Sequence, residues 1–162
     1  MQFAVSVTGD QHDPNATSAV RNRGVFVAIA VLAVAGILVS AVSLQRHYAK
    51  SATAFCDVGE RFNCDIVNRS EQSTVMGIPV AGIGVVGYGV LLILATAYRS
   101  RAGTPNWLLA LALVGSGFSV FLTLMEVYVL ETWCILCLTS QGLIVAITLL
   151  AGVAVVRAAL HG

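Results

Sequence analysis

Four long apolar runs, separated by polar turns, constrain this chain more than any other feature of its sequence. They cover residues 24–44, 77–97, 107–130 and 133–156, and hydrophobic residues make up 57% of the chain. A helix that crosses a bilayer core needs about 20 apolar residues. Only 10% of the residues are charged, against about a quarter in a typical soluble domain. We therefore predict an all-α integral membrane protein, a bundle of four transmembrane helices with a loop between helices 1 and 2.

The residues before the first run are polar and irregular. They predict a disordered tail over residues 1–20, followed by a membrane domain over residues 21–157. A cleaved signal peptide is the rival interpretation of the first run, because Ala52-Thr53-Ala54 has the small-x-small form of a cleavage site. The apolar part of a signal peptide usually spans roughly 7–15 residues, whereas this run is longer and ends well before that site. We therefore expect an uncleaved helix.

The positions of the basic residues predict the orientation in the membrane. With four spans, both termini and the turn at residues 98–106 share one side, where the arginines lie close to span ends. Arg61 and Arg69 on the other side lie inside a long loop, away from the span ends where the positive-inside rule acts. We therefore predict cytoplasmic termini, in the inner (cytoplasmic) membrane of a cell. A formal net charge of +1 gives no reason to expect nucleic acid as a partner.

Four cysteines in two pairs carry the conspicuous chemistry of the chain. Cys56 and Cys64 lie in the polar loop, and Cys134 and Cys137 form a Cys-x-x-Cys motif at the start of the fourth run. Two crossings separate the loop from this motif, so all four cysteines are expected on one membrane face, and the loop can reach from Cys64 to Cys134. A thiol in the first turn of a helix favours the thiolate, which is the form that attacks disulfides. The arrangement favours a relay of electrons from a watery loop to an apolar acceptor such as a quinone.

Three other interpretations of the cysteines remain open at this point. A bridge between Cys56 and Cys64 would staple the loop, which typically stabilises a fold by roughly 2–4 kcal/mol. The cysteines could also be chance residues of a membrane protein. A zinc site would need ligand spacings that this chain does not have, and its three histidines are scattered, so we expect no metal.

The motifs together resemble the vitamin K epoxide reductase family. The resemblance rests on Cys56-Asp57-Val58-Gly59, on Cys64 eight residues after Cys56, on Ser70, on Gly77-Ile78-Pro79-Val80-Ala81 and on Cys134-Ile135-Leu136-Cys137. It implies a four-helix membrane bundle around a quinone, either menaquinone or ubiquinone. It also implies that Cys56 and Cys64 form the loop shuttle pair, that Cys64 exchanges with Cys134, and that Cys137 contacts the quinone.

Two departures from the animal enzymes of that family bear on the substrate. Those enzymes resemble this chain but carry an amide side chain around Val80 and a tyrosine at the place of Gln141, and both side chains hydrogen-bond the quinone head group. Val80 cannot do so, and Gln141 offers only an amide. The Gly-Ile-Pro stretch is similar to microbial members, which oxidise secreted proteins through a thioredoxin-fold, DsbA-like partner. Because the chain ends at Gly162, we expect that partner to be a separate extracytoplasmic protein.

Three polar residues are supporting candidates for the site. Ser70 matches a family serine near the bundle, although a turn cap is the simpler interpretation. Asp57 beside Cys56 would orient the loop or tune the thiol, and a solvated loop acid is the alternative. Glu126 lies within the third run, where acids are candidates for function. It is either a proton relay or a helix-end acid, and its position one turn from the interface favours the second.

These observations predict a membrane thiol–disulfide oxidoreductase that passes electrons through both cysteine pairs to a quinone. Two rivals stay open. One is a reductase that acts on vitamin K epoxide with the same thiols. The other is a membrane scaffold without enzymatic activity whose loop is stapled by disulfides.

Overall fold

The fold is a bundle of four helices with one short hairpin. A computed structural model describes residues 14–48, 64, 67, 70, 73–100 and 103–161. The elements in chain order are α1 (Pro14–Tyr48), β1 (Thr74–Val75), β2 (Ile78–Pro79), α2 (Val80–Thr96), α3 (Thr104–Met125), a π-helix (Glu126–Leu130) and α4 (Ile135–His161).

The first helix is longer than the sequence predicted. It runs over 35 residues from Pro14 to Tyr48, so it starts ten residues before the predicted span and ends four residues after it. Residues 14–20 are therefore helical where we expected a disordered tail, and residues 1–13 lie outside the described residues. Apolar residues occupy all sides of the helix beyond Gly24, which is the pattern of a helix that is buried in protein or lipid.

A tight hairpin replaces the predicted start of the second helix. Thr74–Val75 pairs antiparallel with Ile78–Pro79. The two residues between them have positive φ, 53° at Met76 and 80° at Gly77, as a type I′ turn requires. The helix therefore starts at Val80 rather than at Gly77, and it ends at Thr96 after 17 residues.

The third and fourth helices also start at other residues than predicted. Helix α3 starts at Thr104, three residues early, with proline in its first turn, where the missing N–H costs no hydrogen bond. Its axis continues as a π-helix to Leu130, the predicted end. Helix α4 starts at Ile135 instead of Trp133 and continues to His161, beyond the predicted end at residue 156.

The bundle core is made of aliphatic and small residues from all four helices. Helix α1 packs on α2 and α4, and α3 packs on α4. Ala33, Ala112 and Ala151 are completely buried, and small residues of this kind allow helix backbones to approach closely in a membrane. Ser116 and Thr148 join α3 to α4 through a hydrogen bond of 2.8 Å between their hydroxyls.

Three helical segments of the described chain are long and apolar enough to cross a membrane: Arg23–Tyr48, Thr104–Leu130 and Ile135–Leu160. The fourth helix, Val80–Thr96, is apolar but shorter. Many large apolar side chains point outward, among them Val31, Leu113 and Leu149, which are 62%, 54% and 67% exposed. A lipid environment accounts for such exposure along helices of this composition. The protein is thus an all-helical membrane protein.

Candidate redox site

A cavity of about 480 Å³ lies between the helices and is lined in part by Cys137 of the Cys-x-x-Cys motif. Its walls are mainly apolar and come from all four helices and from the hairpin. The polar or reactive side chains of its lining include those of Cys137, Glu126, Tyr88 and Ser140. Cavities of roughly 300–1,000 Å³ with apolar walls and few polar groups are typical of small-molecule sites.

Cys134 occupies the N-cap position of α4. Its carbonyl oxygen accepts the first helical hydrogen bond, from the N–H of Leu138 at 3.0 Å. Its sulfur accepts the backbone N–H of Cys137 at 3.4 Å, as the side-chain oxygen of a serine or aspartate cap would do. Cys137 is the third residue of the helix, so the motif places one sulfur at the cap and the other in the first turn. The prediction that both sulfurs lie at the helix start agrees with this geometry.

The environment of the Cys134 sulfur favours the thiolate. Cys134 precedes the membrane-spanning segment of α4 by one residue. The side-chain hydrogen bond from Cys137 lowers the pKa of the Cys134 thiol below its ordinary value, although burial of the thiol acts in the opposite direction. The positive end of the α4 dipole acts in the same direction as the hydrogen bond. Cys134 therefore has the character of an attacking or leaving sulfur.

The structure brings the loop cysteine Cys64 to the motif. Cys64 and Cys134 are 1% and 0% exposed and belong to one small cluster together with Val67. Leu130, Leu136 and Cys137 pack against this cluster. A side-chain hydrogen bond also links the thiols of Cys64 and Cys134. The cysteine that we expected to exchange with Cys134 is therefore its neighbour, whereas Cys56 and Asp57 lie outside the described residues.

Glu126 is only 3% exposed, and its carboxylate lies within 4.8 Å of the sulfurs of Cys134 and Cys137. It is the first residue of the π-helix, and Glu131, directly after the last residue of that helix, has a left-handed backbone conformation. The chain then turns back, and the backbone N–H of Cys134 donates to the Glu126 carboxylate at 3.2 Å. The carboxylate is thus inside the site, which differs from the solvated helix end that the sequence favoured.

The other residues that the sequence predicted for the site differ in whether they line the cavity. Val80 and Ser70 line the cavity. Ser70 also donates its hydroxyl to the carbonyl oxygen of Val67 at 2.8 Å, which is a turn-capping contact. The amide oxygen of Gln141 accepts the hydroxyl of Thr123 at 2.6 Å. Thr123 lines the cavity, whereas Gln141 is not among its lining residues, so contact of Gln141 with a bound quinone stays a prediction.

A buried tyrosine of the site was missed in the sequence. The Tyr88 hydroxyl donates to the carbonyl oxygen of Ser140 at 2.7 Å and contacts the Ser140 hydroxyl at 3.0 Å. Its ring packs against Gly36, where a Cβ atom would overlap it. Gly36 and Tyr88 lie 52 residues apart and share no motif. No pattern in the sequence therefore predicts this contact.

The same geometry would also suit a metal ion. The carboxylate of Glu126 and the sulfurs of Cys134 and Cys137 lie within 4.8 Å of one another, and all three groups are of the kinds that bind Zn²⁺. The expectation that the chain holds no metal therefore stays a prediction.

The helices and the buried thiols together define an integral membrane protein with a dithiol beside an apolar cavity. A comparison with protein families then assigns it. The model of the vitamin K epoxide reductase family matches residues 27–152, which cover most of the chain from the first helix to the last. The chain belongs to this family and is a membrane oxidoreductase, as the sequence predicted.

Proposed function

We propose that this protein is a quinone-dependent oxidoreductase that forms disulfides for secreted proteins. In this scheme the shorter helix α2 also crosses the membrane, which makes four transmembrane helices. The termini are cytoplasmic, and the four cysteines lie on the extracytoplasmic face. The 17 residues of α2 extend about 26 Å at 1.5 Å per residue, slightly less than a hydrocarbon core of about 30 Å. Local thinning of the bilayer accommodates such a difference.

The observation that carries the proposal is the order of the buried sulfurs. Cys64 adjoins Cys134, and Cys137 follows Cys134 and faces the cavity. Electrons that enter at the loop therefore have one continuous path, from Cys64 to Cys134, to Cys137 and to a molecule inside the cavity. A stapled scaffold would not need this order.

Each step of the path is a two-electron exchange. A reduced thioredoxin-fold partner reduces the Cys56–Cys64 disulfide and becomes oxidised. The Cys64 thiolate then attacks the Cys134 sulfur of a Cys134–Cys137 disulfide, and Cys137 leaves as a thiolate. Attack by Cys56 on Cys64 restores the loop disulfide and leaves both inner cysteines reduced. The inner pair returns to the disulfide by giving two electrons and two protons to the acceptor.

The cavity fits a quinone head group. About 480 Å³ of space with largely apolar walls suits a lipid-soluble ring, and a bound quinone supplies an acceptor for two electrons and two protons. The apolar walls would hold the ring, and Cys137 lines the same cavity. Menaquinone and ubiquinone both meet these requirements.

Cysteine variants test the path. Cys137→Ala and Cys134→Ala should abolish reduction of a short-chain quinone by a small dithiol, because each lacks one sulfur of the inner pair. Cys56→Ala is the matched control and should retain this activity, because a small dithiol reaches the inner pair directly. Normal quinone turnover by purified Cys137→Ala would show that the path is wrong.

A trapping experiment distinguishes this proposal from its rivals. In Cys137→Ser the Cys134 thiolate can still attack Cys64 of the Cys56–Cys64 disulfide, with Cys56 leaving as a thiolate. No second inner thiol then resolves the Cys64–Cys134 mixed disulfide, so peptide mapping by mass spectrometry should find it. Its absence, together with no adduct to a thioredoxin-fold protein, would favour the scaffold. Assays with vitamin K epoxide and with the quinone in parallel separate the epoxide reductase, which would consume the epoxide.

A further inference from the structure

The buried carboxylate of Glu126 lies beside the reacting sulfurs. Among the residues that the structure describes, no basic side chain pairs with Glu126, whose carboxylate accepts the backbone N–H of Cys134 at 3.2 Å. Removal of an acid from water is costly in a membrane protein, and such acids usually have a function. The contact with Cys134 gives the side chain one hydrogen bond, which leaves its other oxygen to be explained.

The position of Cys137 points to chemistry. The Glu126 carboxylate lies within 4.8 Å of the Cys137 sulfur, and both residues line the cavity. The carboxylate therefore faces the sulfur that gives up a proton and the space where an acceptor takes one. A π-helix produces this placement, and such local irregularities occur frequently at functional sites.

We propose that Glu126 is the general base and acid of the inner dithiol, which takes the proton of Cys137 and passes it to the acceptor in the cavity. This inference rests on the proposed quinone reduction. Overall, two thiols and one quinone give one disulfide and one hydroquinone. Two electrons leave the sulfurs. One proton moves from Cys137 through Glu126 to a quinone oxygen, and solvent supplies the second, which balances the proton that Cys134 lost on becoming a thiolate.

The substitution Glu126→Gln isolates the proton transfer. An amide oxygen still accepts the N–H of Cys134, but the side chain cannot take a proton from a thiol. General acid–base catalysis contributes roughly 10²–10⁴-fold to a rate, so kcat for quinone reduction should fall by about 100-fold while KM stays within twofold. Glu131→Gln is the matched control: it makes the same change at an exposed residue five positions later, and it should keep the wild-type rate.

A second readout needs no quinone. In the fully reduced protein at pH 7, the alkylation rate of Cys137 by iodoacetamide should fall by about tenfold in Glu126→Gln, if a base assists the sulfur. A carboxylate that acted only as a fixed negative charge would hinder the thiolate, and its removal would speed alkylation. The sign of the change therefore separates the two roles, and mass spectrometry resolves Cys137 from the other cysteines.

The outcomes are decisive in each case. Slower alkylation and slower quinone reduction support the proposal, and unchanged or faster alkylation overturns it. If Glu126→Gln does not fold, Glu126→Asp, which moves the carboxyl back by one methylene, replaces it: a lower kcat with unchanged KM supports the role and a wild-type kcat overturns it. If the wild-type protein reduces no quinone, the proposed function fails, and the alkylation comparison alone still decides the role of Glu126.

Discussion

The contact between Gly36 and Tyr88 yields a prediction whose sign differs from that of an ordinary glycine substitution. In a helix interior, replacement of glycine by alanine stabilises by about 1 kcal/mol. At Gly36, however, three ring atoms of Tyr88 would lie within 2.6 Å of the new Cβ. The ring is 5% exposed and its hydroxyl is bonded to Ser140 at 2.7 Å, so it cannot turn away without loss of that bond.

The magnitude follows from two opposing contributions. Overpacking of a filled core costs about 1–3 kcal/mol, and an interhelical hydrogen bond in a membrane protein contributes about 0.6 kcal/mol on average. Against these stands the gain of about 1 kcal/mol in helix propensity. We therefore expect Gly36→Ala to lower the free energy of unfolding by about 1–2 kcal/mol.

Gly142→Ala is the matched control, because no atom lies within 4 Å of its added Cβ and the residue is also inside a helix. It should raise the free energy of unfolding by up to about 1 kcal/mol. The assay is reversible unfolding in mixed micelles with increasing SDS, followed by tryptophan fluorescence. Equal stabilisation by both variants would refute the packing argument. The double variant Gly36→Ala, Tyr88→Leu should recover part of the loss, because the smaller side chain makes room.

Two further predictions follow from the turn and from Gln141. Gly77→Ala should lower the free energy of unfolding by about 1 kcal/mol, because alanine at a φ of 80° is strained. Met76→Gly should raise it by about 0.5–1 kcal/mol by relieving a φ of 53°; equal effects of both changes in the same SDS titration would contradict the turn geometry. Gln141→Leu should leave the KM for a short-chain quinone within twofold, because Thr123 holds its amide. A tenfold rise in that KM would place Gln141 at the quinone.

The sequence predicted the helices well because each apolar run is long and contains few charges. The predicted helix ends were less accurate, because turns and polar residues at the ends of the apolar runs determine where each helix starts. The Gly77 start was wrong because Met76-Gly77 makes a hairpin turn, and Pro79 is the last residue of that hairpin and the N-cap residue of α2. The early start at Pro14 has no apolar signal, since residues 14–22 are largely polar.

For the cysteines and Glu126, too, the sequence predicted some features of the site, and others depend on the folded backbone. The Cys-x-x-Cys motif predicted a reactive pair at a helix start because the spacing alone fixes one turn between the sulfurs. Its N-cap geometry depends on where α4 begins, two residues later than expected. The burial of Glu126 depends on a π-helix and on the left-handed backbone turn that follows it, neither of which has a signature in the sequence. The distance from the interface therefore suggested a solvated acid.

The N-cap position of Cys134 also argues for exchange and against a structural bridge. A disulfide between Cys134 and Cys137 would close a loop of four residues, for which chain entropy gives about 2 kcal/mol, against about 3 kcal/mol for a loop of 15 residues. In the reduced state the same sulfur already satisfies the Cys137 N–H at 3.4 Å, so reduction does not leave the start of α4 uncapped. The disulfide therefore adds about 2 kcal/mol to fold stability, less than a bridge across a long loop would add. A small difference of this kind suits a pair that must be oxidised and reduced in every catalytic cycle, because neither state is held by the rest of the fold.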